Sequence, residues 1–151
     1  MCDMIKDYLY LETDDTCALC GQRGKDNLTE HHIDGNSNNN AYDNRIILCH
    51  NCHHRYENDK GITKDDIEER KRRLIKKTLT QYGVNAIKIA ARNNMGVVSM
   101  SFLMHHLVGL GFMKQEKQIM SYGKQGQKVD MDVLFSITDA GKRFYNKWLK
   151  D

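Results

Sequence analysis

The chain has 151 residues, of which 40% are hydrophobic and 28% charged, enough for one compact domain or two small ones. It holds no apolar run long enough to span a membrane and no basic-then-apolar leader, so a cytoplasmic, reducing setting is expected, where thiols favour metal over disulfide. The formal net charge of +3 divides unevenly: residues 1–60 hold six Lys/Arg against eleven Asp/Glu, and residues 61–151 seventeen against nine, about −5 and +8, which suggests a polyanionic partner such as nucleic acid.

Residues 1–11 place Ile5, Tyr8 and Leu9 at helical spacing and predict a short helix. Two Cys-x-x-Cys pairs follow, Cys17/Cys20 and Cys49/Cys52; they bracket an adjacent pair, His31-His32, and lead directly into His53. Residues 35–44 are rich in Asn, Gly and Ser, whose side chains compete for backbone hydrogen bonds and favour an exposed loop. Residues 45–48 read as a brief buried strand and 52–58 as the start of a helix. Proline is absent, so the domain boundary is read from composition alone and falls at residues 59–64.

Beyond it, Thr63 and Asp66 resemble a capping box opening a helix with Ile67, Leu74, Ile75 and Leu79 on one face. Residues 84–91 make a partner for an amphipathic helix carrying Met100, Leu103, Leu107 and Leu110, which Ser99 could cap and Gly111 end. Val129, Met131, Val133, Phe135 and Ile137 alternate with mostly polar residues and predict a β-hairpin turning at residues 123–126. Thr138-Asp139 then caps a last helix with Phe144, Trp148 and Leu149.

Four thiolates on two knuckles satisfy a tetrahedral d10 ion and leave no open position, so Cys17, Cys20, Cys49 and Cys52 are expected to hold a structural zinc. An iron site could use the same four ligands. In so small a lobe the ion would supply folding energy on the order of 10 kcal/mol. Closed in this way, the metal has no use for the histidines that its loop carries.

Gly21, residues 27–30, the His31-His32-Ile33 tripeptide, Asp43-Asn44 and residues 48–53 together resemble the HNH endonuclease family in its zinc-knuckle form, over roughly residues 17–58. The resemblance implies a ββα-metal fold, a β-hairpin followed by a helix. It makes His31 and His53 ligands of a catalytic divalent ion, His32 the general base, and Asn44 the residue that holds the loop positioning that base. The family often has a further histidine where this chain has Glu57; a carboxylate there shifts preference toward Mg or Mn, with Ni or Zn possible. A near-neutral imidazole at His32 would contribute roughly 10²- to 10⁴-fold in rate. The bland alternative is that the histidine pair only packs against the knuckle or donates hydrogen bonds to it.

The basic half resembles a winged helix-turn-helix domain. In that fold the helix over residues 99–110 enters the major groove, while the wing at residues 123–126, with Lys117, Lys124 and Lys128, contacts phosphates. Its outward residues, Ser101, Met104 and His105, carry little charge, so a protein-binding or dimerising winged helix is the alternative. A denser basic patch, residues 70–73 with Lys76 and Lys77, winds around the connecting helix; Arg70, Arg73 and Lys77 are its candidate phosphate contacts. The expectation is an α+β protein with an HNH lobe at 1–60, a basic connecting helix at 61–80 and a winged-helix-like domain at 81–151. It would act as a metal-dependent DNA endonuclease, with pairing into a homodimer a simple route to two cuts; the other readings are a non-catalytic zinc-binding winged-helix regulator and an RNA-directed nuclease.

Overall fold

In the computed structural model, which describes residues 3–122 and 129–150, the chain forms helices and two small sheets, an α+β arrangement. It divides into two compact units, Met1–Thr78 and Leu79–Asp151. No helix among the described residues is long and apolar enough to cross a membrane.

In the first unit, α1 (Met4–Glu12) begins at Asp3, whose carboxylate accepts the Lys6 N–H at 3.4 Å. Strands β1 (Leu28–His32) and β2 (Arg45–Cys49) pair antiparallel, with His31 opposite Ile46 and His32 opposite Arg45. Successive strand residues point to opposite faces, so His31 takes one face, while His32 shares the other with Glu30 and Arg45. The helix α2 (His50–Glu57) covers the His31 face, and α1 covers the Glu30/Arg45 face through Lys6–Glu30 and Asp3–Arg45 ion pairs, both 3.1 Å. A strand covered from both sides has no solvent face, which is why every residue of β2 is buried.

Thr63 and Asp66 close the predicted capping box: the Asp66 N–H donates to Thr63 Oγ1 at 3.2 Å and the Thr63 N–H to Asp66 Oδ2 at 2.8 Å. The helix they open, α3 (Lys64–Asn93), buries Ile67, Ile75 and Leu79, half-buries Leu74, and breaks helical geometry at Thr80 (φ 58, ψ 169). Its first half belongs to the first unit because Lys71 reaches back to Glu12 at the end of α1. Lys71 therefore leaves the basic patch predicted at residues 70–73: its side chain is 0% exposed, 2.7 Å from Glu12 Oε1 and 3.8 Å from the centre of the Tyr42 ring. Tyr42 donates its hydroxyl to the other Glu12 oxygen at 2.5 Å.

The second unit holds β3 (Val97–Ser99), α4 (Ser101–Gly109), β4 (Met113–Tyr122), β5 (Val129–Ile137) and α5 (Asp139–Phe144), followed by a π-helical turn, Tyr145–Leu149. The sheet order is β3-β5-β4, all antiparallel, with Val133 and Phe135 buried as their alternation predicts. Strand β3 was not expected, and it changes the start of α4. Ser99 does not cap that helix: it is buried in β3, with its hydroxyl 2.5 Å from that of Tyr82, and α4 begins after Met100 without a side-chain cap. The buried stripe is Met104, Leu107 and Leu110, so Met104 faces the core, not outward. Gly111 (φ 78) ends the helix as expected, in the left-handed region that glycine tolerates. Thr138 caps α5, accepting the Gly141 N–H at 3.0 Å. The predicted turn at residues 123–126 lies outside the described residues, as do Lys124 and Lys128.

Candidate functional site

Each cysteine pair is built by a local backbone device. Gly21 (φ 75) turns the first knuckle, and its N–H donates to the Cys17 carbonyl at 2.9 Å. Cys49 ends β2 and serves as the N-cap of α2, its sulfur accepting the Cys52 N–H at 3.4 Å. The Ala18 N–H donates to the Ile47 carbonyl at 2.9 Å and binds the first knuckle to the strand that carries the second. The four Sγ atoms consequently lie within 4.8 Å of one another, with Cys17, Cys49 and Cys52 buried and Cys20 exposed. Burial would raise the Cys17 thiol, but backbone N–H groups of Cys20, Cys49 and Leu19 outweigh it and bring it down to about 7. The cluster is a metal-binding arrangement compatible with zinc.

The histidines form a separate group. His31 and His32 are the last two residues of β1, and alternation sends them to opposite faces. His31 is buried; its ring centre is 5.0 Å from that of His53 and 4.9 Å from that of Tyr56, both edge-on. Its Nε2 is buried without a hydrogen-bond partner. Burial, reinforced by the neighbouring His53 and opposed by Glu57, lowers the His31 pKa to about 4 and keeps its lone pair free at neutral pH. One helical turn beyond His53, Glu57 holds Oε1 3.6 Å from His53 Nε2. Among the described residues only the thiol cluster is drawn together tightly; His31, His53 and Glu57 form a looser row.

No family model, no curated protein and no solved structure matches the chain.

His32, half-buried, has Nε2 3.3 Å from Asn40 Oδ1. Asn44 is buried beneath the same loop: its Oδ1 accepts the Asp34 N–H at 3.1 Å, and its Nδ2 donates to Asp34 Oδ1 at 2.8 Å and to the Asn39 carbonyl at 2.9 Å. Asn39, Asn36 and Asn44 all donate to Asp34 and hold its carboxyl at about 2. The loop is thus exposed in its side chains yet tied to one carboxylate.

Sequence reasoning missed Tyr56, Asp34, Asn39 and Asn40. Tyr56 was legible only as the residue three beyond His53, on the same helix face. Of the basic candidates, Arg73 pairs with Glu69 and Lys77 with Asp14, at 2.7 and 2.8 Å, while Arg70 is half-buried and Lys117 is exposed on β4. Arg45 was also missed: its side chain is 4% exposed and paired through Nη1 with Asp3 and Glu30, and its Nε and Nη2 have no partner.

Proposed function

We propose that the chain is a metal-dependent DNA endonuclease of the HNH, ββα-metal type, joined to a winged-helix-like unit. The observation that carries this reading is the orphaned Nε2 of His31, a buried ring nitrogen without a hydrogen-bond partner in an imidazole that packs edge-on against His53. A buried polar atom without a partner costs free energy unless a ligand satisfies it, and a neutral imidazole is a preferred metal ligand. The donor types suit a divalent ion, and the side chains would have to close on it, since among the described residues they do not converge as the four thiols do. His31 and His53 would hold it with Glu57, whose oxygen favours Mg or Mn, while the imidazoles also suit Ni or Zn. Bound there, such an ion supplies charge neutralisation at the scissile phosphate and the leaving oxygen.

The remaining work falls to side chains of this chain. With Nε2 donating to Asn40 Oδ1, His32 keeps the Nδ1 lone pair to take a proton from the attacking water. Asn44 and Asp34 hold the loop that carries Asn40. Cys17, Cys20, Cys49 and Cys52 would hold a second ion, zinc by ligand type, that would tie the hairpin to α2. The order β3-β5-β4 around α4 supports the winged-helix reading of the second unit.

The test is incubation of plasmid DNA and of RNA with zinc-loaded protein and added Mg, Mn, Ni or Zn. DNA is cut in the expected outcome, and His32→Ala cuts roughly 10²- to 10⁴-fold more slowly while its fold is retained. If His32→Ala matches the wild type, the catalytic role is lost; if RNA alone is cut, the DNA preference is lost.

A further inference from the structure

Three adjoining clefts line one side of the first unit. The first, about 490 Å³, is walled by Arg55, Arg70 and Arg73 beside Cys20 and Cys52. It shares Leu19 and Arg70 with a second, about 310 Å³, which reaches Lys77. It shares Gly61 and Ile62 with a third, about 530 Å³, lined by Tyr56 and Glu57. Since Tyr56 packs on His31 and Glu57 lies beside His53, the clefts form a track from the arginines to the candidate active site.

The charges along this track are not equivalent. In the first cleft, Glu69 is taken by Arg73 at 2.7 Å and Asp66 by the Thr63 N–H and hydroxyl. Arg70 has no carboxylate partner among the described residues. Arg55 uses only Nε, donating to the Lys60 carbonyl at 3.2 Å, and its Nη2 lies across Gly61, where an added Cβ would be 3.6 Å away. Two guanidinium forks therefore face an open cleft with donors to spare, the geometry that suits phosphate oxygens. The third cleft instead carries Glu57 and Asp59 against Lys64, which suits a cation. A polyanion would be held at the arginine end and would need a metal ion at the other.

We infer that Arg55 and Arg70 grip a backbone phosphate of the nucleic-acid strand whose scissile bond reaches His31 and His53. This rests on the nuclease reading but concerns binding, which can be measured without cleavage.

The experiment is fluorescence anisotropy of a labelled DNA oligonucleotide with the zinc-loaded full chain across a salt series, comparing wild type, Arg55→Gln, Arg70→Gln, Arg55→Lys and, as a control away from the clefts, Lys25→Gln. Zinc content and circular dichroism confirm that each variant is folded. Each Gln variant is expected to bind several-fold more weakly and to reduce the log–log salt slope by about 0.9 on duplex or about 0.7 on a single strand. Arg55→Lys should keep the slope and lose affinity, and Lys25→Gln should match the wild type. Unchanged slopes in both Gln variants, or a wild type that binds no DNA, would overturn the inference. Binding that follows this pattern without any cleavage would uphold the cleft and remove the nuclease reading.

Discussion

The Lys71 ammonium sits 2.7 Å from a carboxylate oxygen of Glu12, and neither side chain has any exposure to solvent. Burial lowers the Lys71 pKa, while Glu12 draws it back up. Removing one member leaves the other as an uncompensated buried charge, which costs about 3–5 kcal/mol. Lys71→Met is therefore expected to lower the stability of the zinc-loaded protein by that amount, and adding Glu12→Gln should recover much of it. Urea denaturation checks this, and a double variant no more stable than Lys71→Met alone would contradict it.

Asp34 should report on the loop above His32. Its folded carboxyl, held at about 2, lies below the ordinary aspartate range, so the native state binds fewer protons in that window. The stability it contributes is present above about pH 4 and disappears as the pH falls toward about 2. Asn39 is the largest cause of the shift and Asn44 a smaller one. Carboxyl titration by NMR should accordingly show Asn39→Ala raising the Asp34 pKa more than Asn44→Ala does.

Stripping metal from the thiol cluster with a strong chelator should unfold the hairpin and α2, because an ion bound there would supply free energy on the order of 10 kcal/mol to a lobe with a small core. Loss of amide dispersion for residues up to Thr78 is the expected NMR signature. Cys17→Ser should reproduce it without chelator.

The two adjacent histidines should separate on metal titration. If His31 ligates the ion as proposed, His31→Ala should weaken divalent-ion binding by about tenfold or more. His32→Ala leaves that affinity unchanged and slows cleavage roughly 10²- to 10⁴-fold. Calorimetry with Mn, paired with single-turnover rates, distinguishes them. Equal effects of both variants on Mn affinity would mean that His32 also binds the ion.

What could be read in advance was whatever depends on short spacings. The cysteine pairs are set three residues apart, and the Thr63–Asp66 box closes within one turn, so both survive any tertiary arrangement. The opposite directions of His31 and His32 follow from strand alternation alone. Lys71 could not be placed, because its partner Glu12 lies 59 residues away and a lysine in a basic run gives no sign of burial. Strand β3 is three residues long, too short to show a period, and missing it made Ser99 look like a cap and Met104 like a surface residue. Asp34 was hidden for another reason: it acts as an anchor for amides scattered through a loop with no repeating pattern.

Cys49 is at once the last residue of β2, one of the four clustered thiols and the cap of α2. His53 lies in the first turn that this sulfur starts, so the angular phase of the helix, and with it the direction of the imidazole, is referenced to the clamp. Serine is itself a strong helix cap, so Cys49→Ser keeps the cap chemistry while removing one of the four thiols, and loss of α2 in that variant would report the cluster and not the cap. One sulfur thus fixes both where the strand ends and where the helix carrying His53 begins.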